Sequence, residues 1–560
     1  MASSSLPARK TPQPSSDWHD VLLVVLAGAF GTALLVWVAG GLAAVLAQGE
    51  WPDVPVSQMT RVIPRLVDDP WDPSAAWPRH AREAIPGPIV FYGVLMTLAG
   101  GASVASLAIH RRFGRDRDAS GSTWASKRDL RSLIVSRPVS KRLVLGRVGR
   151  SLVAAEERQS VIVLGPTQSM KTSGFAIPAI LEWSGPVVAT SVKTDLIRHT
   201  IDHRRSLGRT WIYDPTTSTG EDSAKWSPLG LCGDWRGAQR VAAWLASAAN
   251  HGASGIEQAE FWHTLGAKLL APLLYAAATS EASISDVVRW VNTQEEAEIA
   301  GALQATGTMD ALIAAQASWR REPRQKSSVY ATAERILMAY EDPGVARSAE
   351  RCDFSAAELL DGGQHTLYVA APSHEQKRLR PLFQTLLESI VNHAYELSSR
   401  RGSPLDPPLL LVLDEAANIA PLPELDTLAS TASAHGIELV TVFHDFAQIA
   451  NRYGDRAPTV VNNHRAKIVL SGVSDPQTLE YVSRLLGDEE VLQAAVTRGS
   501  EGSHSTTSST ALRTLAPAHV LRGIRPGDGV LVYGHLPPAR IRLRPWFAER
   551  QRGRSRRSPR

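Results

Sequence analysis

The sequence predicts an α/β protein in which a parallel, doubly wound sheet carries an inserted all-helical domain and follows two transmembrane helices. Two long uncharged apolar stretches near the N-terminus indicate the membrane helices. Short, almost uninterrupted apolar strands alternate with helices in the remainder, which is typical of parallel sheets covered on both faces. A long stretch with helical periodicity interrupts this alternation and indicates the insertion.

The two apolar stretches cover residues 21–47 and 88–109, and neither contains a charged residue. Each is at least as long as the roughly 20 residues that a helix needs to cross a bilayer. A signal peptide is the alternative for the first stretch, but its apolar segment is usually only about 7–15 residues long. We therefore expect a two-span membrane anchor over 21–110, with an extracytoplasmic loop at 48–87.

Basic residues are concentrated in 111–150, directly after the second stretch. Such segments stay on the cytoplasmic side, so we expect a cytoplasmic juxtamembrane stem and a multi-pass protein of the inner or plasma membrane. The stem could contact anionic lipid headgroups or form an entrance for DNA, and both alternatives stay open. The ends at 1–20 and 548–560 are predicted to be disordered tails.

The overall composition narrows the function only slightly. Sixty Lys and Arg residues stand against 55 Asp and Glu residues, and this net charge of +5 does not by itself indicate a nucleic-acid partner. The two cysteines, Cys232 and Cys352, are far apart, which excludes a disulfide framework and a cysteine-based zinc site.

A phosphate-binding loop is indicated by "VIVLGPTQSMKTSGF", where an apolar strand precedes a glycine loop and a helix. In this type of loop the backbone N–H groups surround phosphate, the lysine reaches the β- and γ-phosphates, and the following hydroxyl binds Mg²⁺. The pattern G-x-x-x-x-G-K-[ST] fits except at one position, where Met170 replaces glycine. The candidate nucleotide-binding residues are Gly165, Pro166, Thr167, Gln168, Ser169, Met170, Lys171 and Thr172.

Two further strand ends carry candidate site residues. Asp414 and Glu415 follow the apolar run "LLLVL", and His444 follows "ELVTVF". We expect Asp414 and Thr172 to hold the metal, and Glu415 to act as catalytic base. Lys171 is expected to stabilise the phosphates, and His444 to sense the γ-phosphate by hydrogen bonding. For the acidic pair the alternative is a solvated turn, and for His444 it is a turn or packing histidine.

The domain boundaries follow from these patterns. We expect a P-loop NTPase domain over 151–237 and 358–547, with the inserted all-helical domain at 238–357. Near the C-terminus, the Ser/Thr-rich segment 497–510 is predicted to be a loop, and "DGVLVYGHLPPARIRLRPWF" is predicted to be a hairpin.

The order of these motifs resembles the TraG-type coupling proteins of conjugation and type IV secretion, over residues from about 158 to 547. The segment "VVATSVKTDLIRHTIDHRRSLGRTWIYDP" matches a family strand and helix, with Lys193 and Asp195 on the pattern, and "WSPL" is similar to the family's N-P-L. The segment "DEAANIAPLPELDTLASTASAHGIELVTVFHDFAQI" resembles another family block. The segment "VYGHLPPARIRLRPWF" looks like an actinobacterial branch.

This sequence departs from the family pattern in three places. Ala434 and His435 replace the arginine that usually precedes a glycine. His444 replaces a glutamine that senses the γ-phosphate, although Gln448 is kept. Met170 replaces the loop glycine, and its side chain is expected to occupy space where glycine lets the backbone approach phosphate.

The resemblance implies a RecA/FtsK-like ATPase that uses ATP and Mg²⁺ and assembles as a homo-hexamer. It also implies contacts with the DNA backbone without sequence specificity, a relaxase or secreted protein as cargo, and type IV secretion channel proteins as partners at the cell membrane. A neighbouring subunit would supply an arginine to the γ-phosphate. Arg378, Arg380 and Arg465 are candidates, with surface charge as the alternative for each.

Three functions remain in competition. The leading hypothesis is an ATP-driven coupling protein that feeds DNA or protein to a type IV secretion channel. The alternative is a membrane cargo receptor with weak or no ATPase activity, because Met170 replaces the loop glycine. A pump for double-stranded DNA of the FtsK type is the third, but no winged domain is recognisable after Arg525.

Overall fold

The computed structural model describes residues 17–113, 121–249, 256–419, 421–498 and 504–548. The chain divides into two compact units, Met1–Ala119 and Ser120–Arg560. The disorder predicted for the two tails falls mostly outside the described residues. Helix α1 nevertheless begins at Asp17, inside the predicted N-terminal tail.

The described part of the N-terminal unit contains four α-helices: α1 (Asp17–Gln48), α2 (Met59–Asp68), α3 (Pro73–Ala76) and α4 (Pro88–Phe113). Gly28–Gln48 within α1 and Pro88–Ala105 within α4 are long and apolar enough to cross a membrane. The segment between them is folded: its Trp77 is fully buried and lies against Gly40 of α1, where any side chain would collide with the ring.

The second unit is built on a 12-stranded sheet with a separate two-stranded ribbon. Its strands are β1 (Ile134–Val135), β2 (Val144–Val148), β3 (Ser151–Ala154), β4 (Val161–Leu164), β5 (Val187–Ser191), β6 (Thr210–Tyr213), β7 (Thr366–Ala370), β8 (Leu409–Leu413), β9 (Ile437–Phe443), β10 (Ala466–Leu470), β11 (Asp488–Arg498), β12 (His504–Thr514), β13 (Asp528–Tyr533) and β14 (Ala539–Arg542).

The order of strands in the large sheet is β1-β3-β2-β14-β13-β10-β4-β9-β8-β5-β7-β6. From β10 to β6 every neighbouring pair is parallel, as predicted. From β1 to β10 every pair is antiparallel, so the sheet is mixed. The antiparallel part includes the predicted C-terminal hairpin, which is formed by β13 and β14.

Two predictions about connecting segments are corrected. Strands β1 and β2 lie inside the predicted stem 111–150, and Leu145 of β2 is buried in the sheet's core together with Leu133 and Leu143, which directly precede the two strands. The predicted loop at 497–510 falls partly on strands, since β11 and β12 form a ribbon with eleven paired positions on each strand.

Sixteen helices of the second unit lie within the described residues. They are α5 (Ile177–Glu182), α6 (Thr194–Leu207), α7 (Trp235–Ala249), α8 (Ile256–Thr279), α9 (Ile284–Thr293), α10 (Ala297–Thr306), α11 (Met309–Trp319), α12 (Pro323–Leu337), α13 (Pro343–Ser348), α14 (Ala356–Leu359), α15 (Gln376–Arg401), α16 (Leu425–His435), α17 (Phe446–Tyr453), α18 (Ala457–Asn463), α19 (Pro476–Leu486) and α20 (Ala518–Arg522).

Side chains alternate between the two faces of the sheet and build a core on each. In β4, Val161 and Val163 join the core that includes α5 and α6, whereas Ile162 and Leu164 join the core on the other face. The second core includes α15 to α18 and continues into helices α7 to α14, which lie between β6 and β7 in the chain. The helical insertion therefore packs as an extension of one sheet face.

A buried arginine connects α6 to the sheet through hydrogen bonds. Arg204 is completely buried, donating through Nη1 to Trp183 O at 2.7 Å, through Nη2 to Gly185 O at 2.8 Å, and through Nε to Thr366 Oγ1 at 2.7 Å. Burial lowers the pKa of Arg204 to about 10. These bonds satisfy backbone carbonyls that would otherwise be buried without donors.

We expect Arg204→Met to destabilise the second unit by about 3–5 kcal/mol, because it leaves buried acceptors unpaired. Thermal unfolding of the full chain checks this, with Arg205→Met as the matched control. Arg205 is half exposed and pairs only with Glu221, so its loss should change stability by less than about 1 kcal/mol. Equal shifts for the two variants would contradict the role assigned to Arg204.

Candidate functional site

The glycine loop lies between β4 and a π-helical turn, Thr172–Ala176, which leads into α5. Gly165 starts the loop, and its N–H donates to Phe443 O of β9 at 3.0 Å. A Cβ at Gly165 would lie 2.5 Å from Ser169 Oγ and 3.1 Å from the Leu470 side chain. Glycine is therefore required at this position for the loop to close tightly.

Met170 adopts a backbone conformation that normally favours glycine. Its φ is +66°, and that of Gln168 is +68°, so both lie in the left-handed region. A non-glycine residue held there costs on the order of 1 kcal/mol. The loop thus keeps the backbone shape of a glycine-containing loop even though methionine occupies the position.

The Met170 side chain is partly buried and packs against the core on the α5 side of the sheet. Its Cβ lies 3.5 Å from where a Cβ on Gly174 would stand, and its Sδ lies 3.5 Å from the equivalent point on Gly527. The expectation that this side chain occupies phosphate-facing space stays a prediction, because Met170 also lines the cavity. The side chain borders the cavity, but its sulfur packs beside Gly527.

Lys171 is almost fully buried at the centre of the site, with 8% of its surface exposed. Its Nζ donates to Gly165 O at 3.1 Å and lies 3.2 Å from His444 Nδ1. Burial lowers the pKa of Lys171, while the nearby carboxylates of Asp414 and Glu415 act in the opposite direction. The ammonium group therefore faces the space enclosed by the loop.

Two of the side chains predicted to bind the metal are connected by a hydrogen bond. Thr172 Oγ1 donates to Asp414 Oδ2 at 3.0 Å, while Asp414 Oδ1 is buried without a hydrogen bond. Burial raises the pKa of Asp414 to about 6. A hydroxyl and a carboxylate with a free oxygen fit Mg²⁺, which prefers oxygen ligands and completes its shell with water and phosphate. The described residues contain no cluster of three His, Cys, Asp or Glu side chains that could hold a metal alone.

Glu415 and His444 face each other across the site. His444 Nε2 lies 3.8 Å from Glu415 Oε1, and burial and Lys171 lower the pKa of His444. Because the Lys171 ammonium can only donate, His444 Nδ1 accepts and the neutral ring carries its proton on Nε2, towards Glu415. Asn418 Nδ2 donates to Glu415 Oε2 at 3.3 Å, which orients the carboxylate.

A cavity of about 600 Å³, which is large enough for a nucleotide, is lined by eight of the predicted site residues: Thr167, Gln168, Met170, Lys171, Thr172, Asp414, Glu415 and His444. Gly165, Pro166 and Ser169 belong to the loop but do not line the cavity. Lys193 and Asp195, which the family resemblance had marked, also line it. No local sequence pattern indicates His199 and Trp546, whose ring centres lie 4.2 Å apart in the cavity wall. The two residues are several hundred positions apart in the sequence and come together only when the sheet folds.

The candidate arginines lie elsewhere and do not line this cavity. Arg378 forms ion pairs with Glu375 at 2.6 Å and with Asp342 at 3.4 Å. Arg380 is half-buried near the start of α15. Arg465 precedes β10, at the end of the sheet opposite the loop, and lies over the Tyr533 ring. A role for any of them in a neighbouring subunit stays a prediction.

Solved structures share this architecture. The bacterial conjugative coupling protein TrwBdeltaN70, in its unbound monoclinic form, is similar with a TM-score of 0.59 and 18% identity, covering 76% of this chain and 92% of that one. The plasmid coupling protein TrwB in complex with ADP and Mg²⁺ gives a TM-score of 0.58 and 20% identity, covering 76% and 94%. At these identities the likeness establishes the fold.

Sequence relatives point in the same direction. Conjugal transfer protein TraG of Rhizobium radiobacter is 26% identical over 503 residues, which are 81% of this chain and 76% of the relative. TraG of Escherichia coli is 24% identical over 366 residues, which are 60% of this chain and 56% of the relative. Protein VirD4 of Agrobacterium fabrum (strain C58 / ATCC 33970) is 22% identical over 432 residues, covering 72% and 60%.

The sheet, the loop between β4 and α5, and the acidic end of β8 define the fold of a P-loop NTPase. The family described as Type IV secretory system Conjugative DNA transfer matches residues 123–557, which is most of the chain. The chain belongs to this family, which confirms the resemblance to TraG-type coupling proteins. Membership of an actinobacterial branch stays a prediction.

We expect the Mg²⁺-dependent part of ADP affinity to be constant above about pH 7 and to fall below about pH 6. Protons compete with the metal for Asp414, whose pKa is raised to about 6, so the loss should approach tenfold per pH unit. Calorimetric titrations of ADP into the full chain, with and without Mg²⁺, measure this Mg²⁺-dependent part of the affinity. Subtracting the Asp414→Asn profile removes the nucleotide's own titration, and a profile identical to that of Asp414→Asn would contradict the prediction.

Proposed function

We propose that this chain is a membrane-anchored, ATP-driven coupling protein that recruits a relaxase–DNA complex or a protein cargo and feeds it to a type IV secretion channel. One observation supports it above the others. The side chains that follow three strand ends converge on one cavity of nucleotide size: Lys171, Thr172, Asp414, Glu415 and His444. Membership of the conjugative DNA transfer family supports the choice of cargo.

Bound ATP with Mg²⁺ would supply a phosphoryl group for transfer to water. Thr172 and Asp414 would hold the metal through the hydroxyl and the free carboxylate oxygen. Lys171 would place its charge against the terminal phosphates, where charge accumulates during transfer. Glu415 would accept a proton from the attacking water, and the Nε2–H of His444 would donate to a phosphate or water oxygen beside it.

The proposed anchor is supported by the two apolar helix segments, Gly28–Gln48 and Pro88–Ala105. The basic residues that follow 110 favour the cytoplasmic side for the second unit. We therefore place the nucleotide site in the cytoplasm and the folded segment at 48–87 outside the membrane. Membrane proteins of the secretion channel are the expected partners of that segment.

The proposed working assembly is a homo-hexamer with the nucleotide at the boundary between neighbouring subunits. An arginine from the neighbour would then complete the site. Arg378 is occupied by two carboxylates within its own chain, so it would have to exchange these ion pairs to act there. Arg380 has no such competitor among the described residues, and Arg465 would approach from the opposite end of the sheet.

The second candidate function is a membrane cargo receptor with weak or no ATPase activity. It is favoured by Met170, because its side chain borders the cavity at a position where glycine would let the backbone approach phosphate. In this case, the cavity would bind nucleotide weakly or only for stability, and cargo recruitment would be the principal role.

We expect the full chain in detergent to hydrolyse ATP, and Lys171→Ala to lower the rate by about 100-fold, because a charge that stabilises the transition state is removed. Lys268→Ala, at an exposed position on α8, is the matched control and should retain the native rate. Release of inorganic phosphate with and without DNA is the measurement.

The same assay separates the two candidate functions. The motor requires that the native chain exceeds Lys171→Ala and that DNA raises its rate. If the native chain and Lys171→Ala release phosphate equally slowly, while Met170→Gly is active, the receptor is the correct function and the motor is wrong for this chain.

A further inference from the structure

A second cavity, of about 540 Å³, lies on the other side of the catalytic residues. It is bordered by the first turns of α15, the end of α7, the end of α12, the segment after β8 and helix α17. We define it as the α15 pocket. Five of its lining side chains are basic, and none is acidic: Arg335, Lys377, Arg378, Arg380 and Arg452.

Four of these five cations have no carboxylate partner within the described residues. Only Arg378 is neutralised, by Glu375 and Asp342. Arg335 contacts His263, whose pKa is lowered to about 4 by burial and by Arg335 itself, so the ring is neutral. Arg452 donates to Pro421 O at 2.9 Å and lies over the Tyr453 ring, neither of which carries a negative charge.

Arg380 provides the strongest evidence that the α15 pocket binds an anion. The described residues provide no hydrogen-bond partner or ion pair for its guanidinium, and its Nε is buried without an acceptor. Burying a charge without a partner is unfavourable, so such a group calls for an anion from outside the chain. Lys377 lies three residues earlier on the same helix, exposed and on the same side.

The position of the α15 pocket at a helix start adds to its preference for anions. Lys377, Arg378 and Arg380 belong to the first two turns of α15, a helix of 26 residues. Its acidic N-cap residue, Glu375, is paired with Arg378, and its first turn contains no acidic residue. The free N–H groups at a helix start and the positive end of its dipole favour negative charge. The pocket is therefore built for phosphate oxygens.

The α15 pocket shares a wall with the nucleotide cavity. Asn418 lines the α15 pocket and donates to Glu415 Oε2 at 3.3 Å, while Gln448 lines it and accepts from the His444 N–H at 2.9 Å. Glu415 and His444 in turn line the nucleotide cavity. An anion in the α15 pocket is thus one side chain away from the proposed catalytic base.

We propose that the α15 pocket binds the phosphodiester backbone of cargo DNA and that Asn418 transmits its occupancy to Glu415. The inference rests on the proposed function and deepens it, because it assigns the DNA contact and the link to hydrolysis. Unpaired cations at a helix start suit backbone phosphates, which carry no sequence information. Asn418 is a positioning residue in this scheme, since it acts through Glu415.

The first test measures binding of the full chain to fluorescein-labelled oligothymidylate and to a labelled duplex by fluorescence anisotropy over a range of salt. Arg380→Ala should weaken binding by about fivefold to tenfold and reduce the salt slope by about one, as expected for one lost phosphate contact. Arg380→Lys should restore part of both. Arg400→Ala, at an exposed position on the same helix, should behave as the native chain.

The second test measures the ratio of ATP hydrolysis with saturating DNA to hydrolysis without DNA. Asn418→Leu has a similar volume and no charge but cannot donate to Glu415, so we expect DNA affinity to be kept and the stimulation ratio to fall towards one. A purely structural role for Asn418 would leave that ratio at its native value, which would overturn the coupling part of the proposal.

Other sources of the anion give distinct results. If polyglutamate competes as well as DNA, and Arg380→Ala weakens both equally, the pocket serves acidic protein and the DNA assignment is wrong. If Arg380→Ala lowers hydrolysis without DNA but keeps native DNA affinity, the pocket serves the nucleotide of a neighbouring copy, and the assignment is again wrong.

The assignment of the α15 pocket and the proposed coupling function can be overturned independently of each other. A native chain with DNA-stimulated hydrolysis, together with native DNA affinity in Arg380→Ala, would overturn the pocket assignment and leave the coupling function standing. A native chain that shows no hydrolysis would overturn the motor function, while the anisotropy and salt slope of Arg380→Ala would still decide whether the α15 pocket holds DNA.

Discussion

The parallel pairing of β4 with β9, and of β9 with β8, is the constraint on which the rest of the site depends. In this register Leu164 stands beside Phe443, and Leu413 stands beside Thr441, so the three strands end at one edge of the sheet. The groups that follow these ends then meet: Lys171 contacts His444, and Thr172 bonds to Asp414. The same three strand ends separate the nucleotide cavity from the α15 pocket, so a change on one side can reach the other through Glu415 or His444.

The methionine in the glycine loop is compatible with this arrangement for a specific reason. Glycine at this position has two uses, a left-handed backbone and the absence of a side chain near phosphate. Met170 adopts the left-handed backbone at a modest energetic cost and directs its sulfur towards Gly527. The loop therefore keeps the left-handed backbone, and the packing of Met170 against the core offsets part of the strain, while its side chain still borders the cavity.

Much of the fold and the centre of the site could be predicted from local sequence patterns. Apolar runs that precede Lys171, Asp414 and His444 indicate the parallel part of the sheet, because buried parallel strands are apolar along their whole length. Strands β1 and β2 have no clear signal because basic residues surround their few apolar positions. Strand β12 has none because it consists mainly of Ser and Thr, which are equally typical of loops. Trp546, Arg380 and Asn418 reach their sites only through tertiary packing, which has no local signature in the sequence.

A calorimetric titration of Mg·ADP into the full chain, in native form and as Met170→Gly, tests the central claim most directly. That claim is that the loop around Lys171 holds phosphate although methionine replaces glycine. The account predicts that both proteins bind, with dissociation constants within about tenfold of each other, which corresponds to the roughly 1 kcal/mol of strain at one residue. No heat from the native chain beside a clear isotherm from Met170→Gly would contradict it.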